Sequence, residues 1–115
     1  MKNATRKILL KCGIPQHVLG YKYLGTAIEA VNENPDLLKS VTTVLYPKIA
    51  AEHGSTNSRV KRAIRYAVEL SFDRIDLDFS EELFGYSVDV RRGKPANAHF
   101  IAACAEVLKE YEEDN

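Results

Sequence analysis

Residues 55–72 read STNSRVKRAIRYAVELSF. At helical spacing Val60, Ala63, Ile64, Ala67, Val68 and Ser71 share one face, so the stretch predicts an amphipathic helix with small and aliphatic residues toward a core. Ser58, Arg59, Lys61, Arg62, Arg65 and Tyr66 occupy the other face. Thr56 stands where its hydroxyl can accept from an orphan amide of the first turn. Arg59 and Lys61 then lie near the positive end of the helix dipole, which each opposes by roughly 0.3–1 kcal/mol. Stability alone would favour Asp or Glu there. A basic helix start turned outward suits a polyanion; the plainer alternative is a solvated helix with a basic face.

The preceding residues sharpen this. Ala50 is followed four residues later by Gly54, and Gly54 six residues later by Val60. In a helix-turn-helix unit the Ala allows close approach of two helices, the Gly makes the turn, and the aliphatic residue anchors the second helix on the first. The N-terminal residues of that second helix contact base edges in the DNA major groove. The motif's first helix is expected from about Tyr46, with Pro47 in its first turn, where a missing N–H does no harm.

A chain of 115 residues is long enough for one domain with a real core. Lys plus Arg and Asp plus Glu both number 16, so the total charge does not select nucleic acid, but its distribution is uneven. Basic residues gather at the start, between Arg59 and Arg65, and at Arg91, Arg92 and Lys94; acid gathers at Asp73, Asp76, Asp78, Glu81 and Glu82 and again near the end. There is no apolar run of membrane-spanning length and no signal-peptide core, so no membrane role is expected. Two cysteines, Cys12 and Cys104, are too few and too far apart for a disulfide scaffold, which fits a reducing cytoplasmic setting.

Outward from the centre, residues 3–12 read as a short helix with Ile8 and Leu9 inward and Gly13 as its stop. Residues 16–31 carry an apolar stripe through His17, Val18, Leu24, Ala27, Ile28 and Val31; Gly20 and Gly25 within it point to close packing of a neighbour. Residues 36–42 read as a separate helical piece. After Phe72 an acidic linker, DRIDLD, leads to a short helix capped by Ser80 and ended by Gly85. Residues 86–90 alternate weakly, as an extended segment would. Asn97 is placed to cap a last helix that buries Phe100, Ile101, Cys104, Val107, Leu108 and Tyr111. The fold class is all-α, about six helices around a central helix-turn-helix.

Other chemistries find little support. Cys12-x4-His17 and His99-x4-Cys104 lack the tight ligand spacing of structural zinc sites, so no metal is expected. The carboxylates of residues 73–82 have no nucleophile beside them. No phosphate-binding glycine loop or nucleophile elbow is present. Neither an enzyme nor a cofactor is expected.

Several blocks, in order, carry a resemblance: GYKYLGTAI, SVTTVLYPKIAAEH, TNSRVKRAIRYAVE, LFGYSV and KPANAHFIA. Together they resemble the C-terminal effector domain of the stage zero sporulation protein A family of response regulators, from about Arg6 to Glu110. The resemblance implies an all-α DNA-binding domain that recognises a short, usually repeated box and acts with RNA polymerase. It implies that the helix of residues 57–72 enters the major groove, with Arg59, Arg62 and Arg65 matching the family's arginines. It implies polymerase sigma-subunit contact through residues 75–88, here Asp76, Asp78, Glu81, Glu82 and Tyr86. It also implies backbone approach by Lys94, Pro95 and Asn97. Family members carry a receiver domain ahead of this region, whereas this chain starts at Met1 shortly before the match. A dissected domain and a stand-alone protein are both open. Lys61 replaces a family Glu, Tyr66 a His, and Ala96 and Ala98 replace hydroxyl residues.

The resulting expectation is a sequence-specific regulator of transcription that binds double-stranded DNA. Its base readers are Ser58, Arg59, Lys61, Arg62, Arg65 and Tyr66, with Arg62 and Arg65 foremost because Arg pairs with guanine O6 and N7. Its phosphate contacts are Arg91, Arg92, Lys94 and Asn97. Lys61 donates where a Glu would accept from cytosine, so G·C is expected to replace C·G at one base pair, unless Lys61 swings to a phosphate. One helix reads few base pairs, so the chain is expected to be a monomer that pairs on adjacent boxes. The alternative is a helical protein-interaction domain that no longer binds DNA specifically.

Overall fold

The structure is a computed structural model and describes residues 1–85 and 93–114. Among these the fold is all-α, with six α-helices: α1 (Asn3–Lys11), α2 (Leu19–Glu33), α3 (Tyr46–His53), α4 (Asn57–Arg74), α5 (Leu77–Phe84) and α6 (Asn97–Glu113). Helix α2 is central and packs against both α4 and α6. Its Tyr23, Leu24, Ala27, Ile28 and Val31 enter one core with Ile8 and Leu9 of α1, Ile64 and Val68 of α4, and Phe100, Ile101 and Leu108 of α6. No helix among the described residues is long and apolar enough to cross a membrane.

The glycines of α2 meet close neighbours, as expected. A Cβ on Gly20 would fall 2.6 Å from the Ala67 Cβ and against the Ala63 carbonyl oxygen; one on Gly25 would meet the Met1 side chain. The α2–α4 crossing is thus closer than any residue with a side chain at position 20 allows.

Four expectations are corrected. Helix α2 begins at Leu19 rather than residue 16, because Val18 is extended (ψ 142°) and closes a turn onto the Pro15 carbonyl at 3.3 Å. Residues 36–42 are not a regular helix: a 3-10 turn (Pro35–Lys39) is followed by a π turn (Val41–Leu45). Pro47 cannot donate to the carbonyl four residues back and its ring crowds it, and the wider π turn accommodates this just before α3. Helix α5 starts at Leu77, capped by Asp76, whose carboxylate accepts from the Phe79 amide at 3.0 Å; Ser80 lies inside the helix. The DRIDLD linker accordingly contracts, because α4 runs on to Arg74. Finally, Asn97 does not cap α6: Ala96 holds that position, and no side chain caps the helix there.

Candidate nucleic-acid interface

Helix α3 ends as its sequence dictates. Gly54 adopts φ +62° and ψ +40°, and the amides of Gly54 and Ser55 both turn back to the Ala50 carbonyl. This left-handed closure is open to glycine at little steric penalty. Thr56 then caps α4, its hydroxyl accepting from the Arg59 amide at 3.3 Å. The connection is therefore only residues 54–56, and α3 packs directly on α4. Ile49 and Val60 are fully buried and Ala50 nearly so.

Along α4, Val60, Ile64, Ala67, Val68 and Ser71 are buried. At about 100° per residue, Ser58, Arg62, Glu69 and Asp73 run down the middle of the opposite side. Arg59 and Tyr66 flank that line on one side; Lys61 and Arg65 flank it on the other. Ser58, Arg59, Lys61, Arg62 and Tyr66 are all exposed, Tyr66 at 56%. None of Arg59, Lys61 and Arg62 makes an ion pair among the described residues. Arg62 only leans back on its own helix, its Nε donating to the Ser58 carbonyl at 3.4 Å. Three unneutralised cations thus crowd the first turns, where the helix dipole is already positive. Beyond Tyr66 the outward line turns acidic, at Glu69 and Asp73.

Arg65 is placed differently. Its side chain is only 34% exposed; Nε donates to Glu69 Oε1 at 3.3 Å, and a terminal guanidinium nitrogen donates to the Pro95 carbonyl at 2.9 Å. Lys94 donates to the Glu69 carbonyl at 3.3 Å. At about 1.5 Å per residue that contact lies about 18 Å along α4 from Asn57, beside its second half. Asn97 is 8% exposed and points inward, its amide nitrogen donating to Tyr46 Oη and to the Lys61 carbonyl, each at 3.2 Å. The phosphate contact expected at Asn97 thus falls on a largely buried amide whose nitrogen is engaged within the protein. The phosphate contacts expected at Arg91 and Arg92, the extended segment of residues 86–90 and the polymerase contact expected at Tyr86 lie outside the described residues.

The α5 surface is also built by local chemistry. The Asp76 amide donates to the Lys11 carbonyl at 3.3 Å, so α5 starts against the end of α1. Asp76, Asp78, Glu81 and Glu82 are exposed. Leu83 and Phe84 pack inward, Phe84 stacking near Phe72 and Phe100, so they are not the apolar part of an outer surface. Leu77 is, at 80% exposure, with Leu10 at 75% on the neighbouring α1. Sequence reasoning missed both leucines, although Leu77, isolated between two aspartates, was a legible signal.

Residues 5–108 match the family described as sporulation initiation factor Spo0A C terminal. The chain belongs to that family. Membership makes it a DNA-binding effector domain of sporulation transcription control, of the response-regulator type. DNA is accordingly its partner, and the family is a regulatory rather than an enzymatic one.

Proposed function

We propose that α3 and α4 form a helix-turn-helix unit and that α4 is the recognition helix, docking in the major groove through its N-terminal half. The observation that carries this reading is the trio Arg59, Lys61 and Arg62, exposed and unpaired among the described residues at a capped helix start. Arg62, central on the outward side, is the foremost base reader; Ser58, Arg59 and Tyr66 border it. Arginine offers guanine two parallel donors, while Tyr66 offers an apolar ring and one hydroxyl. Lys61 sits on the flank, about 100° round the helix from Arg62. From there a flexible ammonium reaches a phosphate more readily than a base edge. Glu69 and Asp73 repel phosphates and confine docking to the first half of α4.

A second surface belongs to the same reading. Asp76, Asp78, Glu81 and Glu82 surround the exposed Leu77, a pairing that complements a basic patch with an apolar centre. A sigma subunit of RNA polymerase bound there would make the domain a regulator by contact. Single domains reading short boxes would pair on adjacent copies and remain monomeric without DNA, which sedimentation in the absence of DNA measures directly.

The experiment that tests the DNA reading is selection from a random pool of duplexes. A specific regulator enriches one short box; a helical interaction domain without DNA specificity enriches none.

A further inference from the structure

Cys12 closes α1 as its C-cap, and Cys104 lies midway along α6. The two helices pack against each other. Both side chains are fully buried, both are free thiols, and the Cys104 thiol hydrogen-bonds with that of Cys12. They stand too far apart in sequence to suggest a pair, and the fold brings them together. The place where they meet is a junction. The Cys12 carbonyl accepts from the buried Ser71 hydroxyl at 2.7 Å, and the Lys11 carbonyl accepts from the Asp76 amide at 3.3 Å. Gly13, at φ +74°, runs so close to Arg74 that a Cβ on it would lie 2.7 Å from the Arg74 Cβ and carbonyl oxygen. Residues 11–13 therefore hold the last turn of α4 and the start of α5. With both thiols reduced, the sulfurs join that junction to α6 by packing and one weak S–H bond.

We infer that Cys12 and Cys104 form a redox-sensitive staple, a dithiol that a small-molecule disulfide oxidises to an intrachain disulfide between α1 and α6. The exchange runs in two steps. One cysteine thiolate attacks the small disulfide, forming a mixed disulfide and releasing one small thiolate. The other cysteine thiolate attacks the protein sulfur of that mixed disulfide, forming the Cys12–Cys104 bond and releasing the second small thiolate. Two protein thiols are oxidised, one small disulfide is reduced to two thiols, and the two cysteine protons end on them. Neither sulfur is accessible in the closed core, and buried thiols are inert. Exchange therefore passes through a form in which the end of α1 has lifted from α6. Its rate is slow, and its equilibrium is set by how firmly the fold holds the two sulfurs together. A cross-link across about 90 residues constrains the unfolded chain far more than the folded one, so the disulfide stabilises the domain. Through residues 11–13 it also clamps the far end of α4 and the start of α5 onto α6.

The test uses the wild-type chain, folded and in concentrated urea. Each sample is brought to equilibrium in buffers of reduced and oxidised glutathione at several ratios, quenched in acid and mapped by mass spectrometry. The staple predicts one product, a single chain with Cys12 joined to Cys104. Its equilibrium constant against glutathione should be about 30- to 1,000-fold larger for the folded protein than for the unfolded chain. By the same linkage, the urea midpoint of the oxidised protein should lie about 1–3 M above that of the reduced protein. Both readings come from the wild type, so neither depends on a variant that folds. Cys12→Ala is the control, and oxidised glutathione should leave its midpoint where it was. A folded protein that stays reduced at ratios where the unfolded chain cross-links shows that the core refuses the bond, and overturns the inference. Oxidation that gives only glutathione adducts or disulfides between chains overturns it too. So does an oxidised protein no more stable than the reduced one, or a midpoint shift that persists in Cys12→Ala.

Discussion

Gly20 lies directly against Ala67, so close that a Cβ on Gly20 would come within 2.6 Å of the Ala67 Cβ. The contact seats α4 on the central helix, and the neighbouring Ala63 carbonyl blocks any escape. Substituting Gly20→Ala should therefore destabilise the domain even though alanine favours helix by about 1 kcal/mol. Overpacking of this kind costs about 1–3 kcal/mol. The urea midpoint should fall by a matching amount with an unchanged slope. A variant more stable than wild type would show that α2 and α4 are free to separate.

Lys61 tests how the flank of α4 is used. Its main chain is held by Asn97, while its side chain is exposed and unpaired among the described residues. As a phosphate contact, Lys61→Glu should weaken binding to every duplex alike and lower the salt slope by about one or more. Titration of boxes carrying each base at each position reads this directly. A base preference that flips at one position would make Lys61 a reader of that base pair instead.

Much of this arrangement was legible in local sequence. Thr56, Gly54 and the apolar stripe of α4 act within one or two turns of themselves, so their reading survives intact in the structure. Two of the misread positions, the starts of α5 and α6, involve distant partners. Asp76 and Ser80 are both good capping residues; the Lys11 carbonyl, which takes the Asp76 amide, accompanies the choice of Asp76. Asn97 looks like a cap because asparagine usually is one at a helix start. Its actual partners, Tyr46 and Lys61, are 51 and 36 residues away in sequence. Arg65 shares a face with Arg62 by periodicity, and its contacts with Glu69 and with the Pro95 carbonyl, 30 residues away, are not legible from that pattern.

The α5 surface can be separated from DNA binding. Leu77→Ser, or charge reversal at Glu81 and Glu82, should leave affinity for the selected duplex unchanged, since these residues lie on a different helix from the cations of α4. Transcription reconstituted with RNA polymerase should lose its response to the domain. An unchanged response would remove the sigma-contact proposal while leaving the DNA reading in place.

Cys12 and Cys104 are both fully buried, free thiols in one core. Burial, and then the contact with Cys12, pushes the Cys104 thiol well above its usual range. A thiol held neutral this way is a poor nucleophile. At about pH 8.5, where an ordinary thiol is half ionised, the folded protein should resist alkylation, and both cysteines should react once it is unfolded. The linkage has a definite sign: the stabilising effect is complete below the ordinary thiol value and is lost as pH rises above it toward the folded value. Rapid labelling of Cys104 in the native state would contradict its burial.

The central claim is that Arg62, from α4, reads a guanine in the major groove, and methylation interference at guanine N7 tests it most directly. A methyl group on N7 removes the acceptor that an arginine fork requires. On the selected duplex, wild-type binding should be blocked by methylation at a small set of guanines, and Arg62→Ala should lose sensitivity at one of them while keeping the others. Binding that is indifferent to N7 methylation throughout, or a pattern unaltered by Arg62→Ala, would contradict the account.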